Sequence, residues 1–210
     1  MRVYKYMSMS NFIEHIEEYL LGKLFFADWH TLNDPMEGLF LVSNSGQYTE
    51  ALDGLKNAKY HNKVCALAGD CDNFLLWSHY ADSHKGICIG IDVDVAKLKK
   101  ISYNESLPLI YSIDSLDYNI EKILTSKLNC WSYENEYRIL EELDKQQMKE
   151  VGKIKELVFG MHNKSKEFFE SHPRFKNEGI TISAMTSGKL QASVRRMGIC
   201  RHSKTSGVSP

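Results

Sequence analysis

The 210-residue sequence predicts an α+β domain, and three observations carry that prediction. The chain opens as strand, helix, strand. The segment Gly86-Ile87-Cys88-Ile89-Gly90-Ile91-Asp92 is the clearest buried strand in it. Short strand and helix candidates then follow one another to residue 196, with no internal repeat and no linker that divides them. Hydrophobic residues make up 43% and charged residues 25%, an ordinary globular balance able to fill a core. The sequence therefore predicts a single domain over residues 1–197. The polar, Ser- and Gly-containing stretch 198–210 is predicted to be a disordered tail.

Tyr4–Tyr6 is a short aromatic strand. Ser8 or Ser10 caps a helix over Asn11–Leu21, in which Phe12, Ile13, Ile16, Tyr19 and Leu20 recur at helical spacing, and Gly22 ends it. Lys23–Ala27 is a strand. Thr31-Leu32-Asn33-Asp34-Pro35 is a turn, since Asn, Asp and Pro each favour turn geometry. Residues 44–63 are polar and hold a helix near Thr49–Ala58, before the buried strand Val64–Leu67. Asn73–Ala81 is helical, with Phe74, Trp77 and Tyr80 on related faces. After the strand at 86–92 come a short helix over Val93–Lys100 and strands at Ile101–Tyr103 and Leu109–Tyr111. Asn119–Asn129 is a helix striped by Ile120, Ile123, Leu124 and Leu128. Tyr133–Leu140 alternates as a strand, and Ile154–Phe159 is another. Lys164–Ser171 is a helix, and Gly179–Ala184 and Leu190–Arg196 are the last strands.

Bulk properties narrow the function classes. The net charge of -1 gives no global basic field to attract nucleic acid, so such binding would need a local patch. Arg195-Arg196 and Arg201-His202-Lys204 are its candidates, equally explained as a solvated tail. No apolar run approaches the roughly 20 residues of a membrane helix. The opening residues hold no signal-peptide core, and a cytoplasmic location is expected. Five cysteines without a CxxC pair read as reduced thiols rather than a disulfide scaffold. His79, His84, Cys65, Cys71 and Cys88 match no common zinc spacing, so no metal is expected.

Three segments together resemble an uncharacterised bacterial family, a domain of unknown function. They are Asn33-Asp34-Pro35-Met36-Glu37, the run from Trp77-Ser78-His79-Tyr80 to Ile91-Asp92, and Trp131-Ser132-Tyr133-Glu134-Asn135-Glu136-Tyr137-Arg138. More remotely, their order resembles the ADP-ribosyltransferase fold. Tyr4-Lys5-Tyr6 with Ser10-Asn11-Phe12 is similar to its first strand and helix. Ser78-His79-Tyr80 before Gly86-Ile87-Cys88-Ile89 is similar to its Ser-x-x-Tyr segment. Asn135-Glu136-Tyr137 is similar to the strand that holds the catalytic glutamate in the polymerase branch. The resemblance implies two small, mostly antiparallel sheets packed together with flanking helices. Lys5 stands where the polymerase branch has histidine and the arginine-specific branch arginine.

That resemblance implies NAD as the substrate and cleavage of its nicotinamide–ribose bond. Positive charge develops on the sugar in that step, and a carboxylate accepting from the ribose 2′-hydroxyl stabilises it; Glu136 is the candidate. Glu134, two residues earlier on the predicted strand, would share its face about 6–7 Å away and orient or deprotonate the acceptor. Arg138, on the same face, would pair with Glu136 or contact the pyrophosphate. Tyr80 would stack on the nicotinamide. Tyr4, Lys5 and Tyr6 would hold the nucleotide, and His79, next to Ser78, would meet a ribose hydroxyl. The acceptor of ADP-ribose stays open, and a toxin or phage-defence setting rests on the analogy alone. Against this stand plainer readings: Glu134, Glu136 and Arg138 as the wet face of an edge strand, and Trp77 and Tyr80 as core. A non-catalytic nucleotide-binding domain and a nucleic-acid-binding defence protein are the alternative functions.

Overall fold

The computed structural model describes residues 1–43, 49–111 and 115–189. Strand β1 (Arg2–Met7) leads to α1 (Met9–Glu14), whose Ser8 cap accepts from the Asn11 amide. The helix expected over Asn11–Leu21 is broken at His15, and α2 (Ile16–Leu20) follows as a separate turn. The break lets Tyr19 fold back over Phe12: the rings stack 5.9 Å apart, and the Tyr19 hydroxyl donates to Asn11 Oδ1 at 2.6 Å. Gly22 then takes a φ of 73° and lies against the Gly152 carbonyl, where a Cβ would not fit.

Next come β2 (Lys23–Asp28), a 3-10 turn at Trp29–Thr31, β3 (Leu41–Val42), α3 (Thr49–His61), β4 (Asn62–Ala68), α4 (Phe74–Tyr80) and β5 (Ile87–Val93). The short helix expected over Val93–Lys100 is only a 3-10 turn, Val95–Lys97, because Lys99–Lys100 joins the sheet as β6. Strands β7 (Ser102–Asn104) and β8 (Leu109–Ile110) precede α5 (Leu116–Leu124). This helix starts and stops earlier than the expected Asn119–Asn129: Ile120, Ile123 and Leu124 are buried on it, while Leu128 belongs to strand β9 (Ser126–Leu128). The expected strand Tyr133–Leu140 begins only at Glu136. Residues Asn129–Glu134 form a 3-10 turn, and Asn135 at φ 44° turns the chain into β10 (Glu136–Glu142). Strands β11 (Gln147–Glu150) and β12 (Gly152–Phe159), helices α6 (Lys166–Ser171) and α7 (Pro173–Asn177), and β13 (Thr181–Ala184) complete the described chain. The expected strand Leu190–Arg196, the tail at 198–210 and the basic residues within them lie outside the described residues.

The result is an α+β arrangement. Among the described residues its main sheet has nine strands in the order β11-β2-β4-β1-β5-β12-β13, with β10 pairing β4 and β6; two two-stranded sheets, β3–β8 and β7–β9, accompany it. All pairings in the main sheet are antiparallel except β12–β13. Pairing thus runs continuously where two packed sheets were expected, but it is thin at one place. Strand β1 matches β5 over its whole length and meets β4 only at Tyr4 opposite Ala68. The sheet therefore has two arms, β1-β5-β12-β13 and β10-β4-β2-β11, joined at one seam.

Alternation along the strands places the core. On β5, Ile87, Ile89 and Ile91 face a cluster with Phe12, Tyr19, Phe169 and Phe175 from α1, α2, α6 and α7. Cys88 faces the opposite way, toward Tyr6, Leu76 and Trp77 under α4. A third cluster packs Leu55 of α3 and Ile120, Ile123 and Leu124 of α5 against Val64 of β4. Trp77 is a core residue, as its plainer reading held, and Cys88 is buried with it.

Candidate active site

The seam opens into a cleft of about 330 Å³. Tyr4, Lys5 and Tyr6 of β1 form one wall, with Ala66–Ala68 of β4 beside them. Thr31–Asn33 and Tyr80 of α4 form the mouth, the buried Leu76 of α4 lines the inside, and Lys127, Glu134, Glu136 and Arg138 form the floor. The site exists because β4 shares one edge: β2 takes its Lys63–Val64 end and β1 only Ala68.

The floor is a buried chain of ions. Arg138 is wholly buried and spends all five of its N–H groups. Its two terminal nitrogens take both oxygens of Glu37 at 2.6 and 2.7 Å; one also reaches the Leu124 carbonyl at 2.6 Å and the other Glu136 Oε2 at 3.4 Å. Its Nε donates to Glu136 Oε1 at 2.6 Å. Lys127 Nζ then bridges Glu136 Oε2 at 2.8 Å and Glu134 Oε2 at 2.6 Å, with its charge 5.2 Å from the centre of the Trp131 ring. The other oxygen of Glu134 accepts from the Tyr80 hydroxyl at 2.6 Å, and Asn33 Nδ2 donates to that hydroxyl at 2.5 Å. Tyr103 holds the Glu136 amide through its hydroxyl at 2.8 Å. Three carboxylates thus meet two cations, leaving one net negative charge on the floor.

Electrostatics separates the two neighbouring carboxyls. Burial pushes Glu134 above the usual carboxylate range, against the pull of Lys127. Burial opposes Glu136 too, but Arg138 and Lys127 outweigh it and hold Glu136 below that range. Burial would lower Lys127, and Glu136 and Glu134 more than offset it, so its ammonium is held charged. The Tyr80 hydroxyl is pushed up by burial and by its bond to Glu134, so it stays a donor.

The structure brings most of the sequence-derived site residues together: Tyr4, Lys5, Tyr6, Tyr80, Glu134, Glu136 and Arg138 all line the cleft. Several of their expected roles change. Glu134, Glu136 and Arg138 are not the wet face of an edge strand, because they are 6%, 4% and 0% exposed. Glu134 and Glu136 do not alternate along one strand: Glu134 closes a 3-10 turn, and the left-handed Asn135 is what turns both carboxylates to Lys127. Arg138 pairs with Glu136 as expected but has no donor left for a pyrophosphate. Ser78 and His79 lie away from the cleft lining. The Ser78 hydroxyl donates to the Phe74 carbonyl and lies 3.1 Å from His84 Nε2, while His79 is exposed on α4. Glu37, the last residue of the first sequence segment, is the buried partner of Arg138. The Tyr6 hydroxyl is committed to the Asp70 carbonyl at 2.8 Å and the Asn73 amide at 3.3 Å, so Tyr6 offers the cleft its ring only.

Lys127 and Asn33 are the site residues that sequence reasoning passed over. Asn33 stood in a singled-out turn motif, but no spacing rule links it to Tyr80, 47 positions on. Among the described residues no group of three His, Cys, Asp or Glu side chains is placed to hold a metal, and no helix is long and apolar enough to cross a membrane.

Comparison with known families gives a match over part of the chain. Residues 76–139 fit the model of a family described as a protein of unknown function, DUF2971. The match takes in the second and third of the three sequence segments and bears out the resemblance to an uncharacterised family. It spans Tyr80, Lys127, Glu134, Glu136 and Arg138, while β1, Asn33 and Glu37 lie outside it. No curated protein and no solved structure matches the chain.

Proposed function

We propose that the chain is an ADP-ribosyltransferase-like enzyme that cleaves the nicotinamide–ribose bond of NAD and passes ADP-ribose to an acceptor. One observation carries the reading. The three segments whose order resembles that fold converge on one cleft, so that Tyr6, Tyr80 and Glu136 line the same small volume. The two-armed sheet, parted at the seam that makes the cleft, supports it further.

The chemistry follows from the floor. A sugar losing nicotinamide gains positive charge, and a fixed cluster with one surplus negative charge favours that state over the neutral ground state. Glu136 stays ionised, and its Oε1 takes one short bond from Arg138, which leaves an acceptor position for a ribose hydroxyl. The Tyr80 ring stands at the mouth with its hydroxyl tied to Asn33 and Glu134, a fixed aromatic face for the departing base. Lys5 Nζ donates to the Ala66 carbonyl and has two further N–H groups for a phosphate. The cleft volume is at the low end of small-molecule sites, about 300–1,000 Å³, and suits the nicotinamide riboside half of the dinucleotide.

A second reading is favoured by a specific observation. Glu134 and Glu136 are at most 6% exposed, and each of their oxygens already has a partner within the protein. A non-catalytic nucleotide-binding domain needs the cleft and not the reactivity of its floor. Nicotinamide release from NAD decides between the two, measured for the wild type, Glu136→Gln and Tyr80→Phe, each checked for folding by circular dichroism. Release by the wild type that vanishes in Glu136→Gln and falls in Tyr80→Phe supports the enzyme. No release, with NAD binding seen by calorimetry, supports the binding domain.

A further inference from the structure

Two carboxylates side by side in a buried floor repel each other, and one of them ordinarily takes up a proton to relieve the repulsion. Here both lie within hydrogen-bond distance of a single nitrogen, Lys127 Nζ, at 2.6 Å from Glu134 and 2.8 Å from Glu136. Their Oε2 atoms are therefore no more than two hydrogen-bond lengths apart. Lys127 is itself buried at 7% exposure, and its stem is fixed because β9 pairs with β7 at Tyr103 opposite Lys127.

The neighbouring charges leave Lys127 without a substitute. Arg138 on β10 has given every donor to Glu37, Glu136 and the Leu124 carbonyl, and none reaches Glu134. Tyr80 from α4 and Tyr133 from the 3-10 turn also face Glu134, and Tyr103 from β7 faces Glu136; all three are neutral groups whose hydroxyls burial pushes up. Lys127 is thus the one cation, among the described groups that face it, that Glu134 contacts.

We propose that Lys127 is a positioning residue that holds Glu134 and Glu136 together as a pair of carboxylates aimed at one point of the cleft. Its place in catalysis rests on the transferase reading above, whereas its action on the two carboxyls does not. With Lys127 present, Glu136 serves the sugar and Glu134 keeps its charge for a proton from the acceptor. Without it, the pair collapses to one carboxylate and one carboxylic acid, and Glu134, which lacks the arginine, is the member that takes the proton.

The test follows the glutamate side-chain carboxyls by carbon NMR across a pH series, assigned with Glu134→Gln and Glu136→Gln, on the whole chain without substrate. In the wild type both carboxyls titrate below neutral pH. In Lys127→Met the Glu134 carboxyl moves upward by at least one pH unit, and Lys127→Arg restores it. An unshifted Glu134 in a folded Lys127→Met overturns the proposal. So does a wild-type carboxyl of the pair still protonated at pH 7, a result that needs no variant to fold. If the wild type releases nicotinamide, the acid limb of its pH–rate profile moves to higher pH in Lys127→Met, whereas a purely structural loss lowers the whole profile without moving it. If the carboxyl shift is found but no nicotinamide is released, the positioning role stands and the transferase reading falls.

Discussion

The two arms of the sheet share one apolar core, to which β2, β4 and β10 give Leu24, Phe26, Leu67 and Ile139, and differ in that only one of them also carries a buried ionic cluster. In the β1-β5-β12-β13 arm, Ile87, Ile89, Ile91 and Leu157 are wholly buried among other apolar side chains. Apolar burial is non-directional and insensitive to pH. In the other arm, β10 turns Glu136 and Arg138 inward, and five charged side chains occupy the space that Leu or Ile would fill elsewhere. Such a cluster adds little net stability over an apolar filling, yet it fails badly when one member is removed. The first arm is built as support, and the second keeps charge in position at some expense of stability.

Breaking each arm exposes the contrast. The largest expected effect is that of Arg138→Met, which strands Glu37 and Glu136 in the interior and costs about 3–5 kcal/mol in urea unfolding. Ile89→Ala in the apolar arm costs about 2–5 kcal/mol, and its loss stays the same at every pH, so that variant and wild-type stability curves run parallel. The ionic arm bends those curves. Glu136, held below its usual range when folded, contributes stability that is present above the unfolded value of about 4.3 and lost as pH falls through the folded value. Glu134, pushed up when folded, acts oppositely: its contribution is present in acid and fades as pH rises through the raised value. Glu136→Gln should therefore flatten the curve below about pH 4.3, and Glu134→Gln the stretch above it.

Two smaller changes probe the joint between the arms. Tyr80→Phe removes a hydroxyl bonded to a charged carboxylate and costs about 1.5–3 kcal/mol, with the fold kept. Asn73→Ala deletes the cap of α4, where Oδ1 accepts from Leu75 and Leu76, and the bond from Nδ2 to the Tyr133 carbonyl. Its expected cost is about 1–2 kcal/mol by thermal unfolding. A loss far above that would show that α4 and the 3-10 turn before β10 depend on each other more than one cap implies.

The same contrast governs what could be read from the chain. The apolar arm was legible: Gly86–Asp92 is a near-continuous apolar run, and it forms the centre of its arm. So was the meeting of Tyr80 and Glu136 at one cleft, because motif order carried it. The break at His15 was not legible, since the stacking of Tyr19 on Phe12 is settled by packing and not by period. Nor was β11, whose Gln-Met-Lys-Glu has no apolar alternation and is a strand because β2 offers it an edge. The ionic floor was the least legible part. Glu37 and Arg138 are 101 positions apart, and Lys127 sat in what read as the end of a helix. Charge pairs carry no periodicity, so only the folded chain reveals which carboxylate meets which cation.

Lys5 shapes the seam as well as lining it. Strands β1 and β4 touch at Tyr4 and Ala68 and part beyond that point. The Lys5 side chain stands between them, with its ammonium 2.9 Å from the Ala66 carbonyl on the free edge of β4. It acts as a wedge. Shortening it to valine would do more than remove a cation from the wall: it would invite the two strands to close like a seam sewn shut, and the vacant volume itself would be lost.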